Sequence, residues 1–214
     1  MELEPRTMVA ILLAGSTLLQ GCGAVVATGV VTGAAVAHDR RTAGTIVDDQ
    51  SIEIKVQTVF YDEPDLSEGV HINVTSYNGI VLLSGETPTE AQRRRAEERV
   101  AGIEGVRLVH NELTIAAPSS AMTRSSDSLI TAKVKTKMLG DEGFDAGWVK
   151  VVTENGTVYL MGIVTRDEAD RATEITRSTG GVQRVVRLFE YITPKEANPQ
   201  ADQPPEHETR SDPL

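Results

Sequence analysis

Thiols, imidazoles and clustered carboxylates are the side chains most able to do chemistry, and this chain is sparing with the first two. Its one cysteine, Cys22, excludes a disulfide scaffold and a thiolate zinc site within a single chain. The histidines His38, His71, His110 and His207 are scattered, and no two have the spacing of metal ligands, so no metal centre is expected. Carboxylates are plentiful but fall on expected helix surfaces and loops, whereas acid–base catalysis needs two of them in one pocket. Gly21-Cys22-Gly23 opens like a dinucleotide fingerprint, yet position 26 is Val26 rather than glycine. With no nucleophile elbow and no phosphate loop in the sequence, we expect no enzyme and no cofactor.

Charge narrows the partners. The formal charge of −10 argues against a general nucleic-acid binder, which needs a basic face to displace counterions. From Ile46 to Ile115 there are 6 basic and 13 acidic residues, a net of −7; from Arg124 to Thr193 there are 10 of each. Arg93-Arg94-Arg95 is not read as a nucleic-acid patch, because Glu90/Arg94, Arg93/Glu97 and Arg94/Glu98 form i,i+4 pairs on a solvated helix.

The elements that position these residues come in two copies. Asn78-Gly79 and Asn155-Gly156 are each flanked by alternating apolar strands, the pattern of a type I′ hairpin. Gly85 and Gly162 end the second strand of each hairpin. Thr87-Pro88-Thr89-Glu90 and Thr165-Arg166-Asp167-Glu168 read as capping boxes, and Gly105 and Gly180-Gly181 close the helices that follow. Each copy therefore reads α-β-β-α-β, an α+β module with a three-stranded sheet packed on two helices. Each is expected to fold alone. The expected organisation is a signal peptide over 1–21, a tether over 22–45, modules over 46–115 and 124–193 joined by a linker over 116–123, and a disordered acidic tail over 194–214.

Two resemblances add to this. Leu19-Gln20-Gly21-Cys22, closing the apolar run Met8–Leu19, resembles the lipobox of bacterial lipoproteins. It implies cleavage before Cys22 and a covalent lipid on its thiol. Gly23, where an aspartate would resemble an inner-membrane retention signal, implies the periplasmic face of the outer membrane. A rival reading joins Met8 to Ala37 into one uncleaved span, with Gly29 and Gly33 spaced for helix packing. The repeated module resembles the BON domain. Lipobox, the lead-in Asp39-Arg40-Arg41 to Asp49, and two modules in that order resemble the dual-BON outer-membrane lipoproteins.

The helix from Asp127 to Leu139 separates the copies. Alignment puts Ile130, Val134 and Met138 opposite Ile52, Val56 and Phe60 on the core face. Leu129 and Lys133 then project outward with Lys137 at the edge, where the first copy has Ser51, Lys55 and Val59; Lys135 replaces Gln57. Basic and apolar side chains together suit an anionic lipid surface. Trp148 reads either as a second wedge or as a cap on the core. Leu129, Lys133, Lys137 and Trp148 are on this reading the candidate contacts for anionic phospholipid. The family resemblance implies that the second module binds such lipid, of the phosphatidylglycerol or cardiolipin type, at the division site among others, supporting outer-membrane integrity. The alternative is an adaptor that recruits outer-membrane assembly or cell-division proteins without touching headgroups.

Cys22→Ala should abolish cleavage and acylation and leave an unprocessed or mislocalised chain. Intact-mass measurement of the mature protein tests this, and a mature chain starting anywhere but an acylated Cys22 contradicts it.

Overall fold

The computed structural model describes residues 39–197; Cys22, the apolar run, the tether before residue 39 and the tail beyond residue 197 lie outside them. The first module contains α1 (Ala43–Asp62), a short α2 (Pro64–Ser67), β1 (His71–Tyr77), β2 (Ile80–Thr87), α3 (Glu90–Ala101), β3 (Leu108–Asn111) and β4 (Thr114–Ile115). The second contains α4 (Ala121–Leu139), a 3-10 turn (Ala146–Trp148), β5 (Val149–Glu154), β6 (Thr157–Val164), α5 (Arg166–Arg177) and β7 (Arg184–Tyr191), followed by a last turn, α6 (Pro194–Ala197). The expected α-β-β-α-β order holds in both.

Each hairpin is antiparallel, and the strand after the second main helix pairs in parallel with the hairpin's second strand. This puts β2 and β6 at the centre of their sheets. Asn78 (φ 52°) with Gly79 (φ 72°), and Asn155 (φ 47°) with Gly156 (φ 70°), are the successive left-handed residues of type I′ turns. The last strand of the first module is split, because the Asn111 side chain accepts from the Leu113 amide at 3.3 Å and turns the chain there.

Helix starts depart from the expected boundaries. Thr42 and Ser120 cap α1 and α4 by accepting from Thr45 N and Thr123 N, so both helices begin inside the segments read as tether and linker. The box at Thr165 and Glu168 forms as expected. At Thr87 it does not: Thr87 O accepts from Ala116 N, which keeps Thr87 in the sheet, and Thr89 becomes the cap. On α3, Arg93 pairs with Glu90 one turn back rather than with Glu97, and Arg95 and Arg99 reach Glu63 beyond the helix.

A device repeated in both copies fastens helix to hairpin. Asp49 on α1 is buried and accepts from Gly79 N (2.8 Å), Asn78 N (2.7 Å), Ser76 Oγ (2.6 Å) and Arg41 (2.8 Å). Asp127 on α4 accepts from Asn155 N and Gly156 N, both at 2.9 Å. Each aspartate thus satisfies the two amides that a type I′ turn points away from its own ladder.

Strand parity divides the core into three. Val81 and Leu83 pack with Ile52, Val56 and Phe60, and Val158, Leu160 and Val164 pack with Ile130, Val134 and Met138. The opposite faces meet: Tyr77, Ile80 and Leu82 form a third cluster with Tyr159, Met161 and Leu188. The result is four layers, helices–sheet–sheet–helices. The modules are therefore not independent bodies, as the sequence alone suggests; each caps the other's second sheet face.

Burial alone raises the Asp49 carboxyl, but the hydrogen bonds from Gly79, Ser76, Asn78 and Arg41 outweigh it and hold it below the ordinary aspartate range. A depressed folded-state pKa stabilises above the unfolded value, about 4, and that stability is lost as pH falls through the folded value. Asp49→Asn should cost about 2–4 kcal/mol at pH 7 in urea unfolding. The gap from wild type should begin to narrow near pH 4 and close only below the depressed folded-state value, where the folded wild type protonates too. A constant gap down to acid would contradict the role given to the charge.

Candidate functional site: the outer face of the second module's first helix

Of the residues singled out from sequence, α4 carries three. Leu129 is 63% exposed, Lys133 is exposed beside it, and both line an open groove of about 580 Å³ with Thr123, Ser126, Asn155 and Gln183. Lys137 is also exposed, but its Nζ donates to Ser178 O at 2.7 Å, at the end of α5. Trp148 is half-buried against the second core. Phe144 lies edge-on to it with ring centroids 6.0 Å apart, and the Arg40 guanidinium sits 4.1 Å above its ring.

The helix as a whole has a feature that comparing single positions misses. Arg124, Lys133, Lys135 and Lys137 are exposed, as are the apolar side chains of Met122, Leu129 and Leu139. Its one acid, Asp127, is buried and committed to the Asn155–Gly156 turn. The outward surface of α4 is therefore free of negative charge. In α1 the signs reverse, with Asp48, Asp49, Glu53 and Asp62 against Lys55. The matching groove there is lined by Asp48 and Glu104, together with Lys55 and Arg107.

Apolar exposure is not confined to the second copy, contrary to the sequence comparison. Val47, Ile54 and Tyr61 are exposed on α1 at intervals of seven residues, opposite its core face. The comparison with Leu129 was made at the aligned position, Ser51, and so passed over a stripe on another side of the helix.

Sequence reasoning also missed the lead-in. Arg40 makes a two-pronged ion pair with Glu168 (2.6 and 2.8 Å) and donates to Ile163 O (2.9 Å), all in the second module. Arg41 pairs with Asp39 and Asp49 and lies 3.9 Å from the Tyr77 ring, in the first. Glu168 is held below its ordinary range: burial opposes this, and Arg40 with the Thr165 amide overcomes it. The segment read as tether is thus a clamp across both modules from residue 39 onward.

The BON domain family model matches residues 48–117 and 126–193, one copy on each module. The chain is 40% identical over 192 residues to the outer membrane lipoprotein DolP of Haemophilus influenzae, covering 90% of this chain and all of that one. It is 39% identical to the 21 kDa hemolysin of Actinobacillus pleuropneumoniae over 72% of this chain and 79% of that one. With the osmotically-inducible protein Y of Escherichia coli it shares 32% identity over 65% and 72%. The chain belongs to the BON-domain family, among its dual-BON outer-membrane lipoproteins. Among the described residues no helix is long and apolar enough to cross a membrane.

Trp148 is the only tryptophan, so its fluorescence reports on the clamp. Arg40→Ala should shift the emission to the red and cost about 1–3 kcal/mol of stability, combining a stacked cation with a hydrogen-bonded ion pair. Unchanged emission would mean that Arg40 does not cover the ring in solution.

Proposed function

We propose that the protein is a non-catalytic lipoprotein, anchored by an acyl-modified Cys22 to the periplasmic face of the outer membrane, whose second module makes a reversible contact with anionic phospholipid. The observation that carries this reading is the outward surface of α4, where four basic and three apolar side chains are exposed and the only acid is buried. Leu129 enters the interface between headgroups and acyl chains, Lys133 meets phosphate, and Lys137 can exchange the Ser178 carbonyl for a headgroup. Trp148 we leave with the core. Two weak attachments suffice because the anchor raises the effective concentration of the second. Phosphatidylglycerol and cardiolipin provide the required charge.

A second reading has its own support. Val47, Ile54 and Tyr61 form an exposed stripe on an acidic helix, which suits an envelope protein partner better than an anionic bilayer. The two readings use different helices and are separable.

The test is flotation of the unacylated 39–197 fragment with vesicles containing phosphatidylglycerol; a fragment starting at 46 would lose the clamp. A basic residue near an anionic surface contributes about 1 kcal/mol. A buried leucine adds at most about 1.5–3 kcal/mol. Leu129→Glu should therefore weaken binding more than tenfold. Lys133→Ala should cost less, with an effect that fades as salt rises. Ser51→Glu on the acidic module should do little. Equal losses from Leu129→Glu and Ser51→Glu, or no binding by wild type, would refute the lipid reading.

A further inference from the structure

At one rim of the sheet-to-sheet interface the apolar third core gives way to a closed group of ligating side chains. His71 opens β1, and Glu86, its register partner, lies near the end of β2; Glu154 ends β5 in the other module. Their side chains are 19%, 2% and 6% exposed. His71 Nδ1 lies 3.0 Å from Glu86 Oε2 and 3.6 Å from Glu154 Oε1, and one donor atom from each residue lies within 4.8 Å of the others. Asn155 donates to Glu86, and Asn73 donates to Glu154 at 2.7 Å, orienting both carboxylates. Ser119 N, from the segment between the modules, donates to Glu86 at 3.1 Å.

We propose that His71, Glu86 and Glu154 form a binding site for a divalent transition metal, zinc by donor type, that fastens the two modules together. The spacing is that of metal ligands. Zinc bonds to imidazole nitrogen and carboxylate oxygen are about 2.0–2.2 Å, so two ligands of a tetrahedral ion stand about 3.3–3.6 Å apart. The 3.6 Å from Nδ1 to Glu154 falls in that range, and the 3.0 Å hydrogen-bonded contact with Glu86 has to open by a few tenths of an ångström to admit the ion. One imidazole with two carboxylates is a donor set that zinc accepts and that leaves a fourth position for water.

The electrostatics point the same way. Two buried carboxylates face one imidazole, and among the described residues no lysine or arginine forms an ion pair with either of them. A divalent cation supplies the missing positive charge. A separate observation concerns Ser84, two residues before Glu86 on the same face of β2 and register partner of Asn73. Its buried hydroxyl has no hydrogen-bond partner among the described residues. A metal-bound water at the open position is the partner it lacks.

The site joins modules that the sequence keeps more than eighty residues apart between His71 and Glu154 (71 to 154). It is independent of lipid binding, since α4's outward surface takes no part. The experiment uses the full-length protein in detergent, stripped with chelator and titrated with zinc chloride, with bound metal counted by mass spectrometry and the melting temperature followed. One zinc per chain and a raised melting temperature are expected. His71→Ala should abolish stoichiometric uptake. Glu154→Gln, which keeps the shape and leaves the fold intact, should weaken it at least tenfold, and His110→Ala should leave it unchanged. Cobalt in place of zinc should give the intense visible bands of a four-coordinate site, lost in Glu154→Gln. Absence of stoichiometric zinc in a folded wild-type protein, or uptake by Glu154→Gln equal to wild type, would overturn the proposal and leave a hydrogen-bonded histidine–glutamate latch.

Discussion

Everything in this structure follows from two sheets burying their second faces against each other. A three-stranded sheet with helices on one side leaves the other side apolar and open, and a domain of about seventy residues has little core to spare for that exposure. Here the open faces of the duplicates meet through Tyr77, Ile80, Leu82, Tyr159, Met161 and Leu188. The central strands β2 and β6 are therefore apolar at consecutive positions rather than alternate ones, the pattern of a strand covered on both sides. With the sheet faces used up, the helix layers are the broad faces that the described residues leave to solvent.

The smaller contacts serve that arrangement. Asp49 and Asp127 hold the hairpins to the helices, so the sheet faces are presented at a fixed height in both copies. Around the rim, Arg40 to Glu168, Lys150 to Glu53, Arg107 to Glu190 and Asn155 to Glu86 tie one module or its lead-in to the other. Exposed pairs of this kind contribute little singly, up to about 1 kcal/mol each. Their role is to set the register of one sheet on the other, which apolar packing alone specifies poorly. Arg40 and the His71 group are the exceptions, because they are largely removed from water and their loss leaves charge uncompensated.

What could be read from the chain was what is local. The Asn-Gly turns, the Thr165 cap, the repeat and the core faces of α1 and α4 each rest on residues within one turn or strand of one another. Apart from the Thr42 and Ser120 caps and the exposed stripe on α1, the misses are non-local. The Thr87 box fails because β4 pairs with β2 across an intervening helix. Arg40 and Arg41 looked like tether because their partners are Glu168 and Asp49. Histidine spacing gave no hint of His71's surroundings, since Glu86 arrives by hairpin register and Glu154 by packing of the other module. One signal was available and unused: Ile80-Val81-Leu82-Leu83 and Val158-Tyr159-Leu160-Met161 are unbroken apolar runs, which already imply a cover on both faces.

The layering also explains how one molecule can carry two opposed helices. Core positions repeat in kind, Asp49 with Asp127, Ile52 with Ile130 and Val56 with Val134, while outward positions mostly do not: Lys55 is kept as Lys133, but Asp48 becomes Ser126, Ser51 becomes Leu129, Glu53 becomes Thr131 and Gln57 becomes Lys135. In the helix–sheet–sheet–helix order α1 and α4 lie in opposite outer layers. Ionic screening at physiological salt acts over about 8 Å. The charge of the acidic helix on one outer layer is therefore screened from that of the basic helix on the other. A surface that takes α4 leaves α1, with Val47, Ile54 and Tyr61, on the far side and accessible. The lipid and adaptor readings then describe opposite faces of the same sandwich and do not compete for it.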